Sequence, residues 1–299
     1  MPLRNWIMLT VLGAIWGGAF LFAKVAVAEI PPLVLVFLRV AIACCVLLAV
    51  LWHQRLLHHL EPRLAVPFLI MGFLNNAVPF SLLFAGQTVI GAGLASILNA
   101  TTPIFTVIVA SLLVKQEELR AHRIAGVALG VAGVAIMLWS SLTGLATDPV
   151  WAQLCCLGAA VSYACAATFA RRFRSLPPQV AATGQLMGSS TLMLPVALVF
   201  AGGWMPADAG LTTWLNVVAL GVLGTAIAYL IYFRLLAEAG ATNASLVTLL
   251  VPASALLLGW LVLGESLGPL QLAGFALLLC GLIVLDGRIL RRKAATPGQ

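Results

Sequence analysis

Ser96, Asn99 and Pro103 stand at i, i+3 and i+7, with Thr102 and Thr106 beside them. Residues so spaced share one face of a helix. The same stripe returns 149 residues later as Ser245, Thr248 and Pro252. Each proline removes a backbone hydrogen bond and frees a carbonyl one turn earlier, which kinks a helix. Hydroxyls, an amide and freed carbonyls on one face make a candidate wall for a solute cavity. Close packing of helices through small residues explains the same stripe equally well.

A second set combines rings with amides. Asn75 and Asn76 precede Phe80 by about one turn, and Thr225, Tyr229 and Tyr232 fall at i, i+4 and i+7. Trp16 lies mid-way along the first apolar segment, and Ser162 and Tyr163 lie together in the sixth. Ligand pockets are mostly apolar and aromatic with a few orienting polar groups, and this set has that character. Tyr163 also suits an interfacial aromatic belt.

Lys24 and Arg39 are the two basic residues inside apolar segments. A buried cation is costly and usually functional, and it could receive a carboxylate from a substrate. A structural role is the alternative. Either side chain could snorkel outward, and Arg39 could hold the first hairpin by pairing with Glu29. For Arg39 the structural role is the expectation; for Lys24 both stay open. Glu117 and Glu265 lie near segment ends, where either could take part in proton coupling, and Glu265 reads as a gating or structural group.

Catalysis finds little support. The four histidines (His53, His58, His59, His122) lie in connecting segments, away from any serine nucleophile that would need a base. The sequence contains neither HExxH nor GxxxxGK[ST], so this chain alone does not hydrolyse ATP. No carboxylate occupies the centre of a segment, which leaves midplane proton coupling unsupported. The six cysteines lie in apolar stretches without CxxC spacing and read as small hydrophobes. The expectation is a non-enzyme without metal or cofactor.

These residues need elements to hold them, and the composition defines the elements. Of 299 residues 62% are apolar and 8% charged, against roughly 45–50% and 25% in soluble proteins. Mean hydropathy is +1.10. A soluble fold of this size could not hide so much apolar surface. The net charge of +7 then reflects cytoplasmic loops and not a nucleic-acid partner.

Crossing a bilayer as a helix takes about 20 apolar residues. Polar and Gly/Pro breaks divide the chain into ten such segments, near 7–28, 33–52, 64–84, 92–114, 122–139, 150–170, 180–201, 212–234, 243–263 and 270–287. The alternating polarity of a β-barrel is absent. The first segment imitates a signal peptide but runs straight into Pro31-Pro32 and a second span, so it reads as retained. With the N-terminus inside, fourteen of the sixteen Lys and Arg residues fall on the inner side and none in an outer loop. Both termini are therefore expected in the cytoplasm.

The second half repeats the first. An offset of 149 pairs Gly72 with Gly221, Phe84 with Phe233, Gly91 with Gly240, Ser96 with Ser245 and Pro103 with Pro252. An offset of 148 then pairs Glu117 with Glu265, Gly126 with Gly274 and Gly133 with Gly281; upstream, Pro31-Pro32 aligns with Pro177-Pro178. Each unit has five spans, an odd number, so the second enters the membrane from the opposite side. Such inverted repeats mark secondary transporters with a site at the midplane. Gly126, Gly130 and Gly133, with Gly274 and Gly281, are expected to serve close helix contact.

Trp16-Gly17-Gly18, Lys24, Pro31-Pro32 and Phe37-Leu38-Arg39 resemble the opening of the EamA family, in the drug/metabolite transporter superfamily. The run Ala95-Ser96…Pro103…Glu117 and its copy Ala244-Ser245…Pro252…Gly264-Glu265 resemble that family's paired signature helices. One departure is Lys115-Gln116-Glu117, which lacks the glycine of Leu263-Gly264-Glu265.

The expected fold is an all-α membrane protein of ten transmembrane helices. Residues 1–144 form one repeat and 145–299 the other, with a basic tail and a central cavity. The resemblance implies export of amino acids or related metabolites across a bacterial inner membrane, as in YddG-like members. A translocase of phosphorylated metabolites or lipid carriers is the neighbouring alternative. The expected substrate-binding set is Trp16, Asn76, Phe80, Ser96, Asn99, Thr102, Tyr163, Tyr229, Ser245 and Thr248, with Lys24, Arg39, Pro103, Pro252 and Glu265 gating or structural. The expected partners are a small-molecule substrate and the lipid bilayer.

Overall fold

The computed structural model describes residues 2–114 and 121–287. Glu117 and the basic run at Arg291-Arg292-Lys293 lie outside the described residues. The helices are α1 (Leu3–Ala26), α2 (Pro32–His53), α3 (Pro62–Gln87), α4 (Ala92–Leu112), α5 (Ala121–Leu142), α6 (Val150–Phe173), α7 (Pro178–Phe200), α8 (Leu211–Ala239), α9 (Val247–Leu263) and α10 (Pro269–Asp286). Among the described residues nine are long and apolar enough to cross a membrane. The exception, α9, has 17 residues; a single turn at Ala241–Ala244 precedes it, separated by a break at Ser245 and Leu246.

Prolines start these helices and glycines end two of them. Pro32, Pro178 and Pro269 occupy first-turn positions, where a missing N–H costs nothing. Gly264 (φ 66°) and Gly287 (φ 69°) close α9 and α10 in the left-handed region, which a side chain would strain.

α5 packs on α10, α2 on α7, α1 on α8 and α9, and α6 on α3 and α4; α3 also meets α7, and α8 meets α2. Leu35, Leu47, Phe84, Leu94, Leu98 and Leu186 anchor the largest core cluster, each nearly inaccessible. Outward faces are apolar too: Trp139, Leu198, Val199, Leu211 and Trp260 are each more than 60% exposed. A soluble monomer does not present so much apolar surface; this one belongs in lipid.

Glycines set the closest approach. A Cβ on Gly133 would sit 2.5 Å from Gly274 O, and one on Gly126 would sit 2.8 Å from Gly281 O. Rising numbers on α5 meet falling numbers on α10, so the two run antiparallel with their backbones touching. Lipid offers no hydrophobic drive between helices, and such close van der Waals contact supplies the cohesion instead.

Candidate functional site

α3 and α8 each widen into a π-helical stretch, at Phe73–Ala77 and Val222–Ile227. Their first residues are 149 apart, the offset that relates the two halves in sequence. In α3 the widening lies just before Pro79, whose ring cannot sit in a regular turn. In α8 Thr225 Oγ1 donates to Leu220 O, five residues back, at 3.0 Å. On α3 Ser162 Oγ of α6 donates to Leu74 O at 2.7 Å. Widened turns expose backbone groups that need such partners, and they occur often at functional sites.

Both widenings press on a neighbouring helix through glycine. A Cβ on Gly72 would lie 2.5 Å from Gln185 O of α7; one on Gly221 would lie 2.7 Å from Ile42 and 3.3 Å from Arg39 O of α2. Arg39 and Gln185 are 146 residues apart, the spacing of Pro31-Pro32 and Pro177-Pro178. The two polar side chains thus occupy matching places. Arg39 Nε donates to Thr225 Oγ1 at 2.9 Å, and Asn75 Nδ2 donates to Gln185 Oε1 at 2.9 Å.

Around these bonds the predicted ring-and-amide set converges. Asn76 is fully buried; its Nδ2 donates to Ser189 Oγ at 3.4 Å, and its Oδ1 accepts from Tyr229 OH at 3.2 Å. The Arg39 guanidinium lies over the Phe80 ring, 3.7 Å from its centroid, a cation–π contact. Tyr163 meets Phe80 edge-on at 6.5 Å. Trp16 joins by a row of rings: it lies 5.5 Å from Tyr232, Tyr232 lies 5.7 Å from Phe233, and Phe233 lies 6.1 Å from Tyr229. Arg39 does not pair with Glu29 as the structural expectation supposed. Glu29 faces another helix end, described below.

The α4 and α9 stripe is placed differently. Ser96 Oγ donates to Gly93 O and Thr102 Oγ1 to Asn99 O within α4, and Thr248 Oγ1 donates to Ser245 O in the break before α9. Asn99 Oδ1 is sealed with no partner, next to a break at Ala100 and Thr101 that precedes Pro103. Pro252 sits buried inside α9, and Ser245 is exposed at the break before it.

Polar clamps tie one end of the bundle. Lys24 Nζ donates to Gln87 O at 2.7 Å, and Gln87 Nε2 donates to Phe20 O at 2.8 Å, joining α1 to α3. Glu265 accepts from Ala92 N at 2.8 Å and Gly93 N at 3.1 Å. A carboxylate there satisfies two orphan donors at the start of α4 and complements its dipole. A recess of about 280 Å³ beside it is lined by Gly93, Leu256, Trp260 and Glu265, among others. Glu29 accepts from Gly210 N at 2.7 Å, and its carbonyl accepts from Trp204 Nε1 at 2.9 Å. The Gly210 bond holds the Glu29 carboxyl below the usual carboxylate range. At the opposite end Arg4 and Arg234 pair with Glu238.

Sequence reasoning overlooked Gln185, Ser189 and Gln87. Carrying the Pro31–Pro177 spacing onward from Arg39 would have found Gln185. Ser189 and Gln87 carry no such signal.

A lipid-facing helical bundle with a buried polar and aromatic centre defines a multi-pass membrane protein. The chain belongs to the EamA-like transporter family, whose model matches it twice, at residues 4–139 and 150–285. It is 27% identical to a probable amino-acid metabolite efflux pump of Salmonella typhimurium, over all of both chains. It is 29% identical to the uncharacterized inner membrane transporter YedA of Escherichia coli, over 88% of this chain and 84% of that one. A crystal structure shares the fold with a TM-score of 0.68 at 20% identity, covering 99% of this chain and 100% of the other. The protein is an inner-membrane transporter.

Proposed function

We propose that this protein exports amino acids or related small metabolites as a secondary transporter, by alternating access. Residues 1–144 and 145–299 form two five-helix units inserted in opposite senses, with both termini in the cytoplasm. The observation that carries this reading is the self-paired packing of the halves. Gly126 meets Gly281 while Gly133 meets Gly274, as an antiparallel exchange between units 148 residues apart requires. The twin π-helical stretches supply the second pairing. Two equivalent units can exchange conformations about a shared site.

That site is the cluster of Asn76, Phe80, Tyr163 and Tyr229, with Trp16 at its edge. Ser96, Asn99, Thr102, Ser245 and Thr248 continue its wall along α4 and α9. Lys24 and Glu265 tie the outer end shut by hydrogen bonds that opening must break. Export down a gradient needs no nucleotide.

Counterflow in proteoliposomes tests the reading. Vesicles loaded with neutral L-amino acids are expected to accumulate the labelled compound, while empty or protein-free vesicles are not. Exchange of sugar phosphates alone would overturn it in favour of a phosphorylated-metabolite translocase.

A further inference from the structure

We propose that Arg39 receives the carboxylate of the transported solute, whose remaining body packs on the rings of Phe80, Tyr163 and Tyr229. The inference rests on the exporter reading and deepens it.

Arg39 is 8% exposed, and a guanidinium keeps its proton in any protein environment. A buried charge is costly unless it is paired. Among the described residues no carboxylate pairs with Arg39. The titratable groups whose fields reach it are two phenols, Tyr163 and Tyr229. Its support consists of Thr225 Oγ1 at Nε and the face of Phe80. Neither supplies negative charge.

Among the described residues its outer nitrogens have no protein acceptor. Four side-chain atoms among the described residues are sealed without a partner: Asn5 Oδ1, Asn99 Oδ1, Gln153 Oε1 and Ser190 Oγ. No Arg39 nitrogen is among them, so each unbonded Arg39 nitrogen keeps some accessible surface. With Nε held by Thr225, the two Nη groups remain as a planar fork. That fork matches the two oxygens of a carboxylate.

The matching place in the other half shows that the scaffold does not need the charge. Gln185 stands there, beside the Gly72 cradle as Arg39 stands beside the Gly221 cradle, and its Oε1 accepts a neutral hydrogen bond from Asn75 Nδ2. The cation is thus an addition to one half, which makes the centre polar in one direction and orients an asymmetric solute. One cation suits a monoanion. A phosphate dianion would call for a second, and Lys24 is spent on Gln87 O at the bundle end.

The test compares acids with their carboxylate-free twins: L-phenylalanine with L-phenylalaninol, L-leucine with L-leucinol, and L-threonine with L-threoninol, as competitors of counterflow in proteoliposomes. Wild type is expected to prefer each acid by at least about tenfold, the range that a hydrogen bond to a charged group carries. Arg39→Gln, which copies the residue at 185, is expected to abolish the preference while still moving the alcohols. Arg39→Lys keeps the charge and loses the fork, and should retain part of the preference. An unchanged acid preference in Arg39→Gln would overturn the inference and leave the exporter reading standing. So would an equal loss of acid and alcohol in Arg39→Lys, which serves if the glutamine variant does not reconstitute. Should wild type move none of the six compounds, both readings fail together.

Discussion

Gly17 and Gly18 are adjacent in one motif, yet replacing each by alanine should have opposite outcomes. A Cβ on Gly17 would lie 2.5 Å from Ser254 Cβ, 2.8 Å from Ala255 N and 2.9 Å from Val251 O, all on α9. Two of those atoms are backbone and cannot rotate away, so α1 must lift off α9. A Cβ on Gly18 would meet only Phe22 Cζ at 3.6 Å and Leu258 Cδ1 at 3.7 Å, which is ordinary contact. Both substitutions gain about 1 kcal/mol of helix propensity, so the difference between them isolates the clash. Overpacking of this kind costs about 1–3 kcal/mol. Gly18→Ala should therefore match or exceed the wild type in stability, and Gly17→Ala should fall below Gly18→Ala by that amount. Thermal unfolding in detergent, followed by the emission of the neighbouring Trp16, should separate the two by roughly 2–10 °C. Equal midpoints, or a lower midpoint for Gly18→Ala, would refute the α1–α9 contact and with it the position of Trp16.

Three further outcomes follow from the clamps and the centre. Glu265→Ala removes both acceptors at the start of α4 and should destabilise by about 1–3 kcal/mol in thermal melts; Glu265→Gln, with one acceptor oxygen left, should lose less. Tyr229→Phe leaves the buried Asn76 Oδ1 without its donor and should cost about 1–2 kcal/mol, with a several-fold rise in half-saturation for amino-acid counterflow. Because folding lowers the Glu29 pKa, its contribution is present above the ordinary carboxylate value and lost as pH falls through the folded one. The protection of the Gly210 amide against hydrogen exchange, taken relative to its intrinsic rate at each pH, should fall as pH drops below the ordinary carboxylate range, and Glu29→Gln should abolish that loss of protection.

The course of the chain was legible from composition and its breaks. The spans read near 33–52 and 122–139 emerge as Pro32–His53 and Ala121–Leu142, because Pro31-Pro32 opens the first and polar residues bound the rest. Asn76, Phe80, Tyr163 and Tyr229, taken from three separate helices by residue type alone, do come together. Pairings misled where proximity in sequence stood in for proximity in space. Glu29 is ten residues from Arg39 and looked like its partner, yet Arg39 bonds Thr225, 186 residues away. The hydroxyl stripe on α4 is real as a pattern, but Ser96 and Thr102 turn their protons to their own backbone, as short hydroxyls in helices commonly do.

By itself the sequence determined the solvent, the helices and the internal duplication. Those depend on quantities summed over twenty residues, where single errors average out. Only the tertiary structure decided where the two buried cations find their partners. Lys24 reaches a backbone carbonyl on α3, whereas Arg39 bonds Thr225 through Nε and lies over the Phe80 ring. Such a choice turns on distances near 3 Å and on the widened turns of α3 and α8 that aim Asn76 and Thr225 inward, and no periodicity in the chain encodes it.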